Sequence, residues 1–141
     1  MFLKFVLFAA TLSCAALPVS AQEAVPAGVD PDQAGLKILF DLGTAAIRDD
    51  QVATLDQASR LYRDGNPVVM IVTGSADTVG DASQNLDLSI RRARSVADEL
   101  VARGIPIERL QILGRGNSEL PVPTPDGVAN ADNRTALINW R

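Results

Sequence analysis

The sequence contains no histidine and only one cysteine, one tyrosine and one tryptophan among its 141 residues. A catalytic triad or a metal centre built on imidazole is therefore excluded, and a single cysteine cannot form a disulfide within the chain. Thirteen basic residues against 17 acidic ones leave a formal charge of −4, so the basic field that attracts nucleic acids is also missing. At this length the chain provides for one domain and not for a two-domain enzyme.

The first 21 residues have the features of a bacterial export signal. A basic start that includes Lys4 is followed by 13 almost uninterrupted apolar residues, 5–17, which are too few to span a bilayer as a helix. The ending Pro18-Val19-Ser20-Ala21 is similar to a small-residue cleavage site. We expect cleavage after Ala21, which leaves 120 residues, a charge of −5 and no cysteine. Such a chain would be a domain of the periplasm.

Cys14 provides an alternative start, because it could be the lipidated first residue of a lipoprotein. The residues before it, Thr11-Leu12-Ser13, depart at two positions from the aliphatic-small-small pattern that usually precedes such a cysteine. Cleavage after Ala21 is therefore favoured, and lipid anchoring through Cys14 stays open as the second interpretation.

Residues 22–35 contain proline and glycine at positions that interrupt any regular pattern, and we interpret them as a flexible linker before a domain at 36–141. Within the domain, apolar alternation or continuous apolar runs predict strands, and apolar residues at helical spacing predict helices. The predicted strands cover 36–42, 68–72, 110–113 and 135–140, and the predicted helices cover 49–65 and 89–104. Asp49 or Asp50 is expected to cap the first helix, and Ser89 the second.

This order of elements predicts an α/β fold (an α+β sandwich of βαβαββ order), with a mixed four-stranded sheet and helices packed on it. Right-handed crossovers would make the first three strands parallel neighbours, while the last strand is free to run antiparallel. Five consecutive apolar residues place the strand at 68–72 in the centre of the sheet. The segment 114–134 is long for an unstructured loop, so we expect it to contain a short helix or to shape a site.

The candidate site lies after the second strand, because ligands of open parallel sheets bind where loops leave the carboxyl ends of the strands. The loop 73–80 contains Asp77, and it leads through Asn85 to a helix that carries Arg92. An acid, an amide and a base are thus gathered in one segment. From residue types alone, Asp77 and Arg92 could instead form a structural salt bridge, and Asn85 could be a turn or cap residue.

The spacing of these residues fits the pattern G-H-x-D-x-x-G followed by N-x-x-L-S-x-x-R-A. The matching residues are Gly74, Asp77, Gly80, Asn85, Leu88, Ser89, Arg92 and Ala93. Further matches are Phe40-Asp41, Gly114-x-Gly116, Pro121 and Asn133-Arg134. On these motifs, residues 36–140 resemble the OmpA/MotB C-terminal family, the peptidoglycan-binding domain also found in peptidoglycan-associated lipoprotein. Two positions depart from the pattern: Ser75 replaces a histidine or aromatic residue, and Thr135 replaces the second arginine of an N-R-R ending.

The resemblance implies a non-catalytic module that binds peptidoglycan without a cofactor or a metal. In most Gram-negative cell walls the stem peptide carries diaminopimelate, whose free end has an ammonium and a carboxylate on one carbon. Asp77 would accept from the ammonium, and Arg92 would hold the carboxylate through two parallel N–H donors. N–H groups near the helix start, residues 83–89, would also favour a carboxylate.

Three further residues are expected to complete this site. Asn85 would orient the loop or the ligand, Leu88 would provide an apolar wall, and Asp41 would be a second acceptor for the ammonium. Arg91 and Arg94, in contrast, are expected to lie on a solvated face of the helix.

Two other functions compete with this hypothesis. An enzyme would need a general acid and a general base held together; the candidate segment offers Asp77 near Asp81, but nothing in the sequence marks either as buried, and Ser75 has no histidine to activate it. The stronger alternative is an adaptor subunit of an envelope complex that has kept the fold and lost wall binding. The favoured hypothesis remains a periplasmic protein, associated with the cell wall or outer membrane, whose partners are peptidoglycan and an envelope protein.

Overall fold

A computed structural model describes residues 35–141, so the predicted export signal, Cys14 and nearly all of the predicted linker lie outside the described residues. The strands are β1 (Leu36–Leu39), β2 (Met70–Gly74), β3 (Leu110–Gly114) and β4 (Thr135–Trp140). The α-helices are α1 (Val52–Gly65) and α2 (Ala82–Ala102). Short 3₁₀ turns lie at Asp49–Gln51, Ile107–Arg109 and Ala131–Asn133. The α/β class and the expected short helix between β3 and β4 are therefore confirmed.

The four strands form one mixed sheet in the order β1-β4-β2-β3. β2 runs parallel to β3, and β4 runs antiparallel to both β1 and β2. The interior position of β2 and the antiparallel last strand agree with prediction, but the expectation that the first three strands are neighbours is wrong. β4 lies between β1 and β2 and is accordingly buried along more of its length, whereas only Ile38 in the edge strand β1 is fully buried.

Both helices contribute to the apolar core on one face of the sheet. α2 contributes Ala93, Val96 and Leu100, which are fully buried. From the strands, the buried side chains are Ile38, Met70, Val72, Ala136 and Ile138. Each fully buried aliphatic side chain of this kind stabilises the fold by about 1.5–3 kcal/mol. Because side chains alternate along a strand, residues such as Thr73 and Leu137 lie on the opposite face, which neither helix covers.

The helix starts differ from those predicted. α2 begins at Ala82 and is capped by Asp81, while Ser89 lies inside the helix, where its Oγ donates to the carbonyl of Leu86 and accepts from the N–H of Gly116. The first turns of α2 carry buried polar side chains and so do not extend the apolar stripe that the prediction followed. Asp49 and Asp50 lie in a 3₁₀ turn, and α1 has no side-chain cap.

Two glycines allow α2 to lie directly on the sheet. A Cβ atom at Gly74 would overlap the carbonyl oxygen of Ser89, and a Cβ atom at Gly114 would overlap the side chain of Ile90. A side chain at Gly74 would require the helix backbone to move, and one at Gly114 would require at least the side chain of Ile90 to move. This close approach brings the first half of α2 to the carboxyl end of β2.

Candidate functional site

A cavity of about 260 Å³ opens between the segment after β1, the loop after β2 and the first turns of α2. Its lining residues are Leu42, Gly43, Asp77, Val79, Gln84, Asn85, Leu88 and Arg91. Three of the five predicted site residues, Asp77, Asn85 and Leu88, are thus brought together in one cavity. Leu88 is a buried part of its wall, as the apolar role requires.

Asp77 lies in the loop after β2 with only 4% of its surface exposed. Its Oδ2 atom is 3.2 Å from Nη1 of Arg134, and Nε of Arg134 donates to the carbonyl of Phe40 over 3.4 Å. Asp77 therefore does form a partly buried ion pair, but its partner is Arg134 and not the Arg92 that the sequence suggested. No local signal could have found this pair, since the two residues are far apart in the chain and meet only when β4 joins β2.

Arg92 projects from α2 and is completely buried, with 0% of its surface exposed. Its Nε donates to the carbonyl of Thr44 (2.9 Å), Nη1 to that of Ser75 (2.9 Å) and Nη2 to that of Asp41 (3.1 Å). The guanidinium also lies 5.4 Å from the ring centre of the buried Phe40. Arg92 therefore joins the segment after β1 to the loop after β2. A guanidinium has five N–H groups, so two remain outside these bonds.

The charges of the site are unbalanced. Burial lowers the pKa of Arg92 to about 10; the charge of Asp77 opposes this shift, and Arg134 and Arg91 add to it. Arg92 stays protonated at neutral pH, so one buried carboxylate, Asp77, faces the guanidinium groups of both Arg92 and Arg134. Together Asp77, the buried Arg92 and the partly buried Arg134 carry a net positive charge, which favours an added anion.

Asn85 is hydrogen-bonded to the loop that carries Asp77. Its Nδ2 donates to the carbonyl of Val79 over 3.0 Å, and its side chain is buried. This contact is the loop-orienting arrangement expected from the sequence, and it holds Val79 at the cavity wall. The amide oxygen of Asn85 is not used in this bond and is free to accept another.

The start of α2 is less open to anions than expected. The carboxylate of Asp81 accepts from the backbone N–H of Ser83 (3.0 Å) and of Gln84 (3.3 Å). A hydrogen bond from the Ser83 hydroxyl, followed by these backbone bonds, lowers the pKa of Asp81. Both N–H groups are therefore already occupied, and the expectation that they would attract a ligand carboxylate is wrong.

Asp41 does not line the cavity. Its exposed carboxylate lies 3.5 Å from Nη1 of Arg48, while its backbone carbonyl accepts from Arg92. The segment that follows Asp41 contributes Leu42 and Gly43 to the cavity wall instead.

Arg91 is a cavity residue that the sequence interpretation assigned to a solvated face. It is largely exposed, and its Nε lies 2.9 Å from Oδ2 of Asp87 one helical turn earlier, yet it lines the cavity beside Leu88. The position of Arg91 beside the site could have been predicted from the sequence, because Leu88 and Arg91 are three residues apart and so lie on the same side of a helix.

Among residues 35–141, no set of three acidic or sulfur-containing side chains is arranged to bind a metal ion. In the same part of the chain, neither helix has the length and apolar character needed to cross a membrane.

Solved structures share this fold. The peptidoglycan-associated lipoprotein from Burkholderia pseudomallei superimposes with a TM-score of 0.70 at 22% identity, over 78% of this chain and 93% of that one. The C-terminal domain of Helicobacter pylori MotB superimposes with a TM-score of 0.64 at 18% identity, over 81% of this chain and 86% of that one. At these identities the similarity shows the fold.

Two relatives found by sequence are more similar in sequence to this chain than those two solved structures are. Outer membrane protein A of Yersinia pseudotuberculosis is 38% identical over 132 residues, which are 88% of this chain and 36% of that protein. The peptidoglycan-associated lipoprotein of Rhizobium meliloti is 35% identical over 104 residues, 73% of this chain and 58% of that protein. This chain therefore spans only part of the length of these relatives. The model of the OmpA family matches residues 39–134, most of the described domain, and the chain belongs to the OmpA family.

Proposed function

We propose that this chain is a non-catalytic, peptidoglycan-binding module of the bacterial envelope, and that the cavity beside Asp77 receives the zwitterionic end of diaminopimelate. Family membership and a relative that is named a peptidoglycan-associated lipoprotein support the class of function. The observation that supports the ligand most directly is that Asp77, a buried carboxylate in the cavity wall, lies close to the guanidinium groups of Arg92 and Arg134, while Arg91 lines the cavity itself. A zwitterion offers its ammonium group to the carboxylate and its carboxylate group to the guanidinium groups.

The ammonium group would bind to Asp77. Arg134 occupies Oδ2 of that carboxylate, which leaves Oδ1 for the ligand. The amide oxygen of Asn85, in the same cavity, is the second acceptor in this proposal. Asp41 was expected in that role, but it would first have to leave Arg48. Because the site is buried, these charge-assisted hydrogen bonds are stronger than they would be in water.

The carboxylate group would bind to Arg92 through the two N–H groups that its carbonyl partners leave unused. Arg92 is fully buried and does not line the cavity, so the ligand would reach it only if the cavity wall beside Leu42 and Gly43 moved outward. Arg91 at the wall can exchange Asp87 for the second carboxylate oxygen. Lysine in place of Arg92 could not reach three carbonyls and an anion, since its donors diverge from one nitrogen.

The methylene groups of diaminopimelate would lie against the apolar wall. Leu88 is the buried part of that wall, and Leu42 and Val79 form its exposed rim. Each methylene group transferred from water would contribute about 0.8 kcal/mol. The charged groups of diaminopimelate would thus determine specificity, while its methylene groups add affinity.

This function fits an exported protein that acts in the periplasm at the cell wall or outer membrane, with peptidoglycan as its first partner and an envelope protein as a second. The export signal at 1–21, with cleavage after Ala21, is part of the same proposal. Lipidation at Cys14 would place the same module on a membrane surface. The intact mass of the mature protein distinguishes a chain that begins at Gln22 from one that begins at an acylated Cys14.

Sedimentation with purified sacculi tests the proposal. The variant Asp77→Asn keeps the shape of the side chain and removes its charge, and Asp98→Asn, at an exposed position late in α2, is the matched control. We expect Asp77→Asn to bind at least about tenfold more weakly, because a hydrogen bond to a charged group contributes about 1.5–3 kcal/mol. Circular dichroism verifies that both variants are folded.

Each other outcome of that experiment has a meaning. Equal sedimentation of the wild type and Asp77→Asn would contradict the site. Failure of the wild type to sediment would contradict wall binding and favour an adaptor subunit. Release of soluble muropeptides during incubation would favour an enzyme.

A further inference from the structure

A second and larger cavity, which we call the sheet groove, lies on the face of the sheet that the helices leave open. Its volume is about 400 Å³. Side chains of β2 and β4 form its floor, and part of the segment between β3 and β4 forms one side. The polar floor residues are Thr73, Ser75, Thr135 and Asn139, and the apolar lining residues are Leu120, Pro121 and Leu137.

The sheet groove begins next to the proposed diaminopimelate site. Ser75 in the groove is two residues before Asp77, so their Cα atoms lie at most about 7 Å apart. Thr135 directly follows Arg134, the ion partner of Asp77, and the N–H of Ser75 donates to the carbonyl of Thr135 over 2.8 Å. The two cavities therefore flank the same end of β2 and could contact one ligand.

We propose that the sheet groove is a second subsite for the same wall fragment and that it receives an N-acetylated sugar. This inference rests on the proposed function, because the diaminopimelate in the first cavity would position the sugar. In a wall fragment the two are joined by a short peptide, and about three residues of extended chain span about 10 Å. That length is sufficient to connect the site at Asp77 to the groove floor at Ser75.

The chemistry of the floor fits a neutral sugar. Short hydroxyl side chains can exchange hydrogen bonds with sugar hydroxyl and acetamido groups, the amide nitrogen of Asn139 can donate to them, and Leu137 offers an apolar surface to the C–H face of a ring. The cationic side chains at the rim already have acidic neighbours: Lys37 lies 3.9 Å from Asp132, and Arg115 contacts Glu119. An anionic ligand would therefore find little uncompensated charge there.

The position of the groove disfavours an extended peptide as its occupant. A peptide that adds to a sheet does so at an edge, where backbone groups are unpaired. The groove floor belongs to β2 and β4, which are the interior strands and pair with a neighbour on each side. Only side chains can recognise a ligand at this floor.

The two departures from the family pattern, Ser75 and Thr135, both lie in the sheet groove. The pattern has a histidine or an aromatic residue at the first position and an arginine at the second, and either side chain would extend into the space that the groove occupies. Ser75 and Thr135 are only 5% and 2% exposed, so they form its deepest part. These substitutions therefore open the groove where the pattern would fill it.

Calorimetric titration of the mature protein with two soluble wall fragments tests this subsite. One fragment is the diaminopimelate tripeptide, and the other is the same tripeptide joined to its disaccharide. We expect the disaccharide to raise the affinity of the wild type about tenfold, as two or so neutral hydrogen bonds would. The increase should disappear in Ser75→His, which fills the groove.

A second pair of variants tests the subsite if Ser75→His does not fold. Asn139→Ala removes an amide from the groove floor, and Gln111→Ala removes one from the exposed part of the same sheet face. Asn139→Ala should lose most of the increase, and Gln111→Ala should keep it. Equal affinities of the two fragments for the wild type, or an increase that survives in Ser75→His and Asn139→Ala, would overturn the subsite.

Failure of the subsite is distinguishable from failure of the proposed function. If neither fragment binds, both proposals are wrong. If the tripeptide binds and the disaccharide adds nothing, the sugar subsite is wrong and the proposed function stands.

Discussion

The two ends of β2 are equally well buried but are held by different interactions. At its amino end, Met70 packs with Leu100 and Ile105 in a wholly apolar cluster. At its carboxyl end, Arg92 is as inaccessible as Leu100, both being 0% exposed, yet it is held by hydrogen bonds to three backbone carbonyls. Packing depends on volume, whereas hydrogen bonds depend on direction and charge. The stability of the carboxyl end should therefore respond to pH and ligand, and that of the amino end should not.

The largest expected effect is at Arg92. Arg92→Ala should lower the free energy of unfolding by about 4 kcal/mol, because three backbone carbonyls lose their donor and Asp77 loses a neighbouring positive charge. Urea unfolding measures this. Arg94→Ala, at an exposed position on the same helix, should change it by less than about 0.5 kcal/mol. If the two variants are equally stable, the carboxyl end is held by something other than Arg92.

The comparison is sharpened by Leu100→Ala at the apolar end. The truncation should cost about 3 kcal/mol, because it leaves a cavity in the fully buried cluster. Under conditions in which the variant is folded, Leu100→Ala should bind sacculi as the wild type does, since Leu100 lines neither cavity. A loss of sacculus binding by folded Leu100→Ala would show that the two ends are coupled.

The smallest expected effect concerns Asp81, the cap of α2 near the carboxyl end. Since folding lowers its pKa, ionised Asp81 stabilises the protein above the ordinary value of 3.8, and this contribution is lost as the pH falls through the lowered pKa. The stability advantage of the wild type over Asp81→Ala should therefore shrink when the pH falls below about 3.8. The difference between the wild type and Leu100→Ala should remain constant. Urea unfolding at pH 6 and pH 3 measures both differences in stability. If the difference between the wild type and Asp81→Ala is also the same at the two pH values, Asp81 does not cap α2 as an ionised group.

How much could be predicted from the sequence differs between the two ends. The apolar stripe of Val96 and Leu100 and the continuous apolar run before Gly74 predict a helix and an interior strand, because burial there follows a local period. The pairing of β1 with β4 could not be predicted, since strands distant in sequence meet only in the folded sheet.

At the candidate site, local motifs placed Asp77, Asn85 and Leu88 in one cavity, but they did not reveal their partners. Arg92 was expected to face a ligand because a sequence shows donors and not the carbonyls that satisfy them. Arg134 was noted as part of a motif, and its ion pair with Asp77 arises from strand order. Buried polar contacts of this kind are the part of the site that only the folded structure provides.

The central claim is that the cavity recognises both charges of diaminopimelate, and it can be tested with Arg92 intact. The measurement is the calorimetric affinity of the wild type and Asp77→Asn for two tripeptides, one with diaminopimelate and one with lysine, which has the ammonium but not the carboxylate. We predict that the wild type binds the diaminopimelate peptide at least about tenfold more tightly, and that Asp77→Asn weakens both peptides by a similar factor. Equal affinities of the wild type for the two peptides, or binding that Asp77→Asn leaves unchanged, would contradict this account.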